Sequence, residues 1–250
     1  MEPVSVFAAW ARLLRVANAP SAWSNAVLGL AVGAAAATTP RGVGPAPLPT
    51  LLNEGFLLLV SATLFYAGAM AMNDAADAAT DLRERPGRPV PSGAVSQRAA
   101  HRAGKLGVIG GLAALVAYPQ PEVVGLGTLL ALSIVLYNAL HLRHAWTVAL
   151  PALCRGLLVA IAVLVVPAAG PTDAVVPALV VAAAVLAVSA YARREAEHPG
   201  RPARVGRLLG SLPALDAVLV LLLAGNPEAA VFCIGCGVLG FIGQRFAAAS

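Results

Sequence analysis

The chain has 250 residues, of which 59% are hydrophobic and 12% charged, and a formal net charge of +5 at neutral pH. A mean hydropathy of +0.79 excludes an ordinary soluble domain and indicates a polytopic membrane protein. In a soluble protein the basic balance would suggest nucleic acid. In a chain this apolar it is accounted for by basic loops on one side of a bilayer, so no nucleic-acid partner is expected.

Met1 to Ala19 carries Glu2 ahead of its apolar residues and Arg12 and Arg15 after them, the reverse of the order in a cleavable signal peptide. Eight spans of about 20 residues each follow, over residues 21–39, 51–72, 104–119, 122–141, 146–169, 173–192, 207–224 and 228–248. The predicted architecture is therefore an all-α bundle of about eight transmembrane helices forming one domain over 1–250. The third span is the weakest, because its apolar part is short and Gly110-Gly111 interrupts it. Asn25 falls inside the first span. An amide in hydrocarbon needs a partner, so it is expected to face the bundle interior, either gluing helices together or serving a site.

Asn73 to Gly93 follows the second span directly and holds four of the twelve acidic residues, Asp74, Asp77, Asp81 and Glu84, with Arg83, Arg85 and Arg88. On a helix leaving the bilayer, Asn73, Asp77 and Asp81 share one face at i, i+4, i+8, with Asp74 beside them. Neighbouring carboxylates repel unless something positive lies between them. Hard cations such as Mg²⁺ take oxygen ligands and keep phosphates as co-ligands, so this face is a carboxylate platform for Mg²⁺ with a diphosphate as the expected guest. A solvated helix end with i, i+4 acid–base pairs would contain the same acids. The continuation Arg85-Pro86-Gly87-Arg88-Pro89 weighs against it, because proline ends the helix and turns guanidinium forks, suited to phosphate oxygens, back beside the acids.

Ser92 to Arg102 is polar and reads as a short surface helix with Ser96 as its N-cap. Arg155 lies within the fifth span and Asp216 about ten residues into the seventh. An ionised group at such depth is paired or functional, and Arg155 and Asp216 are candidate partners. Cys154, Cys233 and Cys236 all lie in apolar runs and imply no disulfide framework. The Cys233-Ile-Gly-Cys236 spacing fits small packing residues in a glycine-rich helix.

Charge placement tests the span map. Arginines and Lys105 crowd the loops between spans two and three and between six and seven, the start of the chain, and Arg143 and Arg245; the opposite loops carry only Arg41 with several acids. The positive-inside rule then puts both termini and the Asp-rich segment in the cytoplasm, with the chain in the cell (inner) membrane.

Asn73-Asp74-x-x-Asp77-x-x-x-Asp81, followed by Arg85 and by Arg88-Pro89-Val90-Pro91-Ser92-Gly93, resembles the first signature of the UbiA superfamily of intramembrane prenyltransferases. The resemblance implies a Mg²⁺-dependent enzyme that ionises a prenyl diphosphate and passes the prenyl group to an acceptor. It implies Asp74, Asp77, Asp81, Arg85 and Arg88 as catalytic residues, with the three aspartates as metal ligands. Arg15-x-x-Asn18 and Asn25 resemble the superfamily's first helix, near its pocket. Tyr137-x-x-x-His141 resembles a Tyr-x-x-x-Lys element, with His141 in place of Lys and with Arg143 or His144 available to supply the charge.

Tyr191-Ala192-Arg193-Arg194-Glu195 stands where relatives carry a second, DxxxD, signature. It is similar to a divergent, EboC-like branch in which an Arg-Glu pair replaces the aspartates. Glu195 is then a second metal candidate, and Asn73, Tyr137, His141, Arg143, Arg155, Arg194 and Glu195 join Asn25 as substrate-binding candidates. One metal ion with an arginine clamp is equally consistent. Two other readings share the fold: a cyclase that folds the ionised chain on itself, and a non-catalytic membrane protein. The expected partners are a prenyl diphosphate, an acceptor and the bilayer, with no obligate protein partner.

Overall fold

The structure, a computed structural model, describes residues 5–38, 45–195 and 202–249. Among these it is all-helical, with eleven α-helices: α1 (Val6–Leu13), α2 (Pro20–Thr38), α3 (Leu48–Glu54), α4 (Phe56–Ala76), α5 (Ala78–Glu84), α6 (Gln97–Leu115), α7 (Pro121–Leu140), α8 (Ala149–Leu164), α9 (Pro171–Glu195), α10 (Pro202–Ala224) and α11 (Pro227–Ala249). Each expected span overlaps one long helix, although the second, over 51–72, starts in α3 and crosses Gly55 into α4. By length and composition, five helical stretches among the described residues are long and apolar enough to cross a membrane: Phe56–Ala76, Pro121–Leu140, Ala145–Leu164, Pro171–Arg193 and Pro227–Gln244. Leu208–Ala224 is apolar but shorter. α2, with Ser21, Ser24 and Asn25, and α6, which opens on Gln97, Arg98, His101 and Arg102, do not meet that measure.

The short surface helix expected before the third span is instead continuous with it. Ser96 caps α6, its Oγ accepting from the Ala99 N–H at 3.2 Å, and the helix runs unbroken to Leu115. Nothing between them stops it. Ala99, Ala100 and Ala103 are strong helix formers, and Ala100, Gly104, Gly107, Val108, Gly111 and Leu115 bury one continuous face. Gly111, expected to interrupt the span, is a contact point, its carbonyl accepting from Ser61 Oγ at 2.7 Å.

α2 is the most enclosed helix. It packs on α4, α8, α10 and α11, and Val27 and Leu28 are fully buried. The outer surface is apolar: Leu106, Ile109, Leu179, Leu222 and Val231 all stand exposed, as lipid-facing side chains do.

Gly29 and Gly33 let α2 touch α8 backbone to backbone. A Cβ at Gly29 would lie 2.6 Å from the Val159 carbonyl oxygen, and one at Gly33 2.6 Å from that of Val163. Backbone cannot yield as a side-chain tip does. Gly29→Leu is therefore expected to destabilise the protein by at least ~2 kcal/mol, read as a lowered thermal midpoint in detergent. Gly87→Ala, whose added carbon meets nothing within 4 Å, should leave the midpoint unchanged.

Candidate active site

α4 ends at Ala76, and Asp77 (φ −79°, ψ −5°) joins it to α5. The helical hydrogen bonds nevertheless continue through the junction, from Asp77 N to Asn73 O (2.8 Å), Asp81 N to Asp77 O (2.8 Å) and Arg85 N to Asp81 O (2.7 Å). Asn73, Asp77 and Asp81 thus keep the alignment that the sequence predicts. Arg85 leaves the helix at φ −144°, directly before Pro86. The chain then folds into a turn closed by Ser92 N to Arg88 O (2.9 Å) and Val95 N to Pro89 O (2.9 Å). Gly93 takes the left-handed φ of 79° this requires. Val90 and Val95 bury against Leu13, Ala71, Ala75 and Ala100, and this anchor holds Arg88 over the acids.

Asp74 and Asp81 are 3% and 2% exposed, and carboxylates so buried need cations. Arg15 Nη2 lies 3.0 Å from Asp74. Arg88 Nη1 sits between the two, 2.5 Å from Asp81 and 3.9 Å from Asp74, while the more exposed Arg85 stands 3.8 Å from Asp81. Asp77 accepts from Asn73 Nδ2 at 2.7 Å and faces His141 Nε2 at 2.6 Å. The other ring nitrogen of His141 faces the Tyr137 carbonyl at 3.0 Å, and the ring stacks on that of Tyr137. Both neighbours of the imidazole are acceptors, so the two bonds form together only when both nitrogens carry protons. In that state His141 presents the charge a Lys would.

Among the described residues, no group of three or more His, Cys, Asp or Glu stands close enough to hold a metal ion. The donor chemistry still suits Mg²⁺, because the acids are hard carboxylate oxygens, and Mg²⁺ at phosphate sites takes only one or two carboxylates with substrate oxygens completing its shell.

Behind the acids lies a cavity of about 260 Å³ between α2, α4, α7, α8, α9, α10 and α11. Arg15, Asn73 and Tyr137 line its acidic end; Phe65, Leu130, Ile134 and Leu158 make its walls apolar. Deeper, Ser21 and Arg155 also line it. Arg155 donates to Asn25 Oδ1 and Ser21 Oγ, both at 2.8 Å, and its guanidinium lies 6.0 Å from the centre of the Tyr66 ring. Asn25 Nδ2 in turn donates to Asp216 Oδ2 at 2.8 Å, and Ser24 Oγ donates to the same oxygen at 2.6 Å. Arg155 and Asp216 are thus linked, but through Asn25 rather than by the direct pair the sequence suggested. Asn25 faces the interior as expected.

Arg143 is not brought to the acids; it is exposed, and its side chain forms no hydrogen bond or ion pair among the described residues. The side chains of Arg194 and Glu195 lie outside the described residues, although α9 runs to Glu195. Arg15 is the main addition. It takes a left-handed conformation, φ 47°, its carbonyl accepts from Tyr66 Oη at 3.1 Å, and it is the nearest cation to Asp74. Its signal in the sequence is the Arg15-x-x-Asn18 spacing. Ser21 and Tyr66 complete the wall, with Asp216 buried behind it, and of these only Asp216 stood out in the sequence, as a lone acid in an apolar run.

Three likenesses bear on this arrangement. A digeranylgeranylglyceryl phosphate synthase from Methanoregula boonei is 40% identical over 90 residues, 36% of this chain and 32% of the relative. The match thus spans about a third of that protein's length. The solved structure of a digeranylgeranylglyceryl phosphate synthase in membranes superposes with a TM-score of 0.63 at 14% identity, covering 98% of this chain and 97% of that one. A UbiA homolog from Archaeoglobus fulgidus bound to GPP and Mg²⁺ superposes with a TM-score of 0.51 at 20% identity, covering 95% and 86%. At such identities the two structures speak for the fold alone. The sequence pattern of the UbiA prenyltransferase family matches residues 23–245, nearly the whole bundle with its acidic segment and cavity, and the chain is accordingly an integral membrane protein of the UbiA prenyltransferase family.

Proposed function

We propose that the protein is a Mg²⁺-dependent prenyltransferase, acting as a single intramembrane unit, that cleaves a prenyl diphosphate and transfers the prenyl group to a nucleophilic acceptor. The observation carrying this reading is the set Asp74, Asp77 and Asp81, interleaved with Arg15 and Arg88 and joined through Arg15 and Asn73 to the end of an apolar cavity that these two residues line. The A. fulgidus homolog bound to GPP and Mg²⁺ supports both substrate class and metal. The excess of basic residues on one set of loops supports a cell-membrane protein with its termini and acidic segment in the cytoplasm.

Bound to the aspartates and to the diphosphate, Mg²⁺ would neutralise charge building on the leaving group. The chain's own residues do the rest. Arg15 and Arg88 carry guanidinium N–H groups suited to the remaining phosphate oxygens, and His141 adds a donor beside Asp77. Asn73 orients the Asp77 carboxylate. Phe65, Ile134 and Leu158 hold the prenyl tail and exclude water, so that once the C–O bond breaks and diphosphate departs, the allylic cation meets the acceptor rather than solvent. Arg155, with Ser21 and Asn25, offers a polar wall for the acceptor. Arg194 and Glu195 are retained as candidates for a second clamp on the diphosphate, Glu195 through a second metal ion.

The test is diphosphate release by the purified protein in nanodiscs, with C10 to C20 prenyl diphosphates, with and without membrane extract or glyceryl phosphate acceptors, and with Mg²⁺ or EDTA. The expected result is release that requires an acceptor, stops in EDTA and returns on adding Mg²⁺. Release without acceptor, giving a cyclic product, would reassign the protein as a cyclase. A folded protein that binds the diphosphate but never releases it would overturn the reading.

A further inference from the structure

A second cavity lies on an adjacent face of α4, between α4, α6 and α7, with a volume of about 730 Å³. Its floor is apolar, formed by Met72, Ala75 and Val135, and one edge is basic, formed by Arg98, His101 and Lys105. These three sit at i, i+3 and i+7 of α6 and so share one side of that helix. The sequence reads Ser92 to Arg102 as a short surface helix. The structure turns these side chains into a separate groove, and Gln97 ties α6 to α4 by donating to the Ala75 carbonyl at 2.8 Å.

The groove has the polarity of an amphiphile. Its basic residues occupy the first ~10 Å of α6, and Val108 and Ile109 follow one turn further along, with Leu106 and Ile109 exposed on the outer surface. Charge therefore gives way to hydrocarbon in one direction, as a lipid passes from headgroup to chain. No carboxylate lines the groove, and no described acid pairs with Arg98 or Lys105. Asn138, which lines both this groove and the first cavity, donates its amide to the Ile134 carbonyl and keeps Oδ1 buried without a partner among the described residues.

We propose that this groove binds an anionic phospholipid. Arg98 and Lys105, with the His101 ring, hold the phosphate, and an acyl chain runs along Val108 and Ile109. Basic pockets between membrane helices hold anionic headgroups in this manner. The lipid would press on Met72 and Ala75, in the helix whose neighbouring face carries Asn73 and Asp74.

The test is titration of detergent-purified full-length protein with phosphatidylglycerol or phosphatidylcholine, counting bound lipid by native mass spectrometry. Phosphatidylglycerol is expected to bind at least tenfold more tightly. Arg98→Gln with Lys105→Gln should weaken it by on the order of 30-fold, while Arg98→Lys with Lys105→Arg should retain it. Inorganic phosphate at matched ionic strength should not displace it. Equal binding of the two lipids, or unchanged binding by the glutamine variant, would overturn the proposal. Displacement by phosphate alone would also overturn it, by making the groove a free-phosphate site.

Discussion

Asp77→Asn is expected to lower Mg²⁺-dependent diphosphate release by about 10²- to 10³-fold, the loss typical when one preorganised charge-stabilising group is removed from a transition state. The substitution conserves volume, and Asp77 is only partly buried, so the thermal midpoint should move little. What disappears is the negative charge between Asn73 and His141, whose atoms lie 2.7 and 2.6 Å from the carboxylate. The effect should fall on kcat more than on KM, because Arg15 and Arg88 remain to hold the diphosphate. Leu82→Ala, one residue beyond Asp81 and well exposed, is the control and should be near wild type. If the Asn variant turned over normally, Asp77 would have no part in ionisation.

The second large effect is on stability. Arg155→Met is expected to destabilise by ~3 kcal/mol, because it removes the donor satisfying Asn25 Oδ1 and the compensating charge nearest buried Asp216. Asp216→Leu should be similarly damaging, leaving Ser24 Oγ and Asn25 Nδ2 without their shared acceptor. The two residues act through one amide, so the double variant should lose less than the two single losses added together. Unfolding in graded detergent mixtures measures all three. Strict additivity would mean that Asn25 does not couple them.

The acidic segment was legible because it is local. Helical periodicity alone aligns Asn73, Asp77 and Asp81, and proline alone ends the helix at Arg85. The long-range partners were not legible: Arg15 reaches Asp74 across 59 positions and Arg155 reaches Asn25 across 130, and no periodicity spans such distances. Asn25 was recognisable as an interior amide, but that its oxygen and nitrogen serve opposite charges follows only from how α2, α8 and α10 meet. The end of the polar Ser92–Arg102 segment was misjudged for a physical reason. Polarity marks Gln97 to Arg102 as surface, whereas the alanines and glycines beneath those charges carry the helix on into the bundle. Arg143, two residues past His141, lies in the turn that follows the end of α7 at Leu140, where its side chain is exposed.

The pairing of Asp74 with Arg15 and of Asp81 with Arg88 has a thermodynamic consequence. Both buried carboxylates of the acidic segment already have their counter-ions, so the resting site is close to electroneutral. A divalent cation arriving alone would strand two guanidinium groups, and a polyanion arriving alone would strand two carboxylates. Arriving together they exchange one set of partners for another at constant charge. On the proposed function, the metal and the diphosphate are therefore positively linked ligands, each tightening the other by the same factor. Single-phosphate compounds, which satisfy fewer of the released arginines, should show weaker linkage than diphosphates.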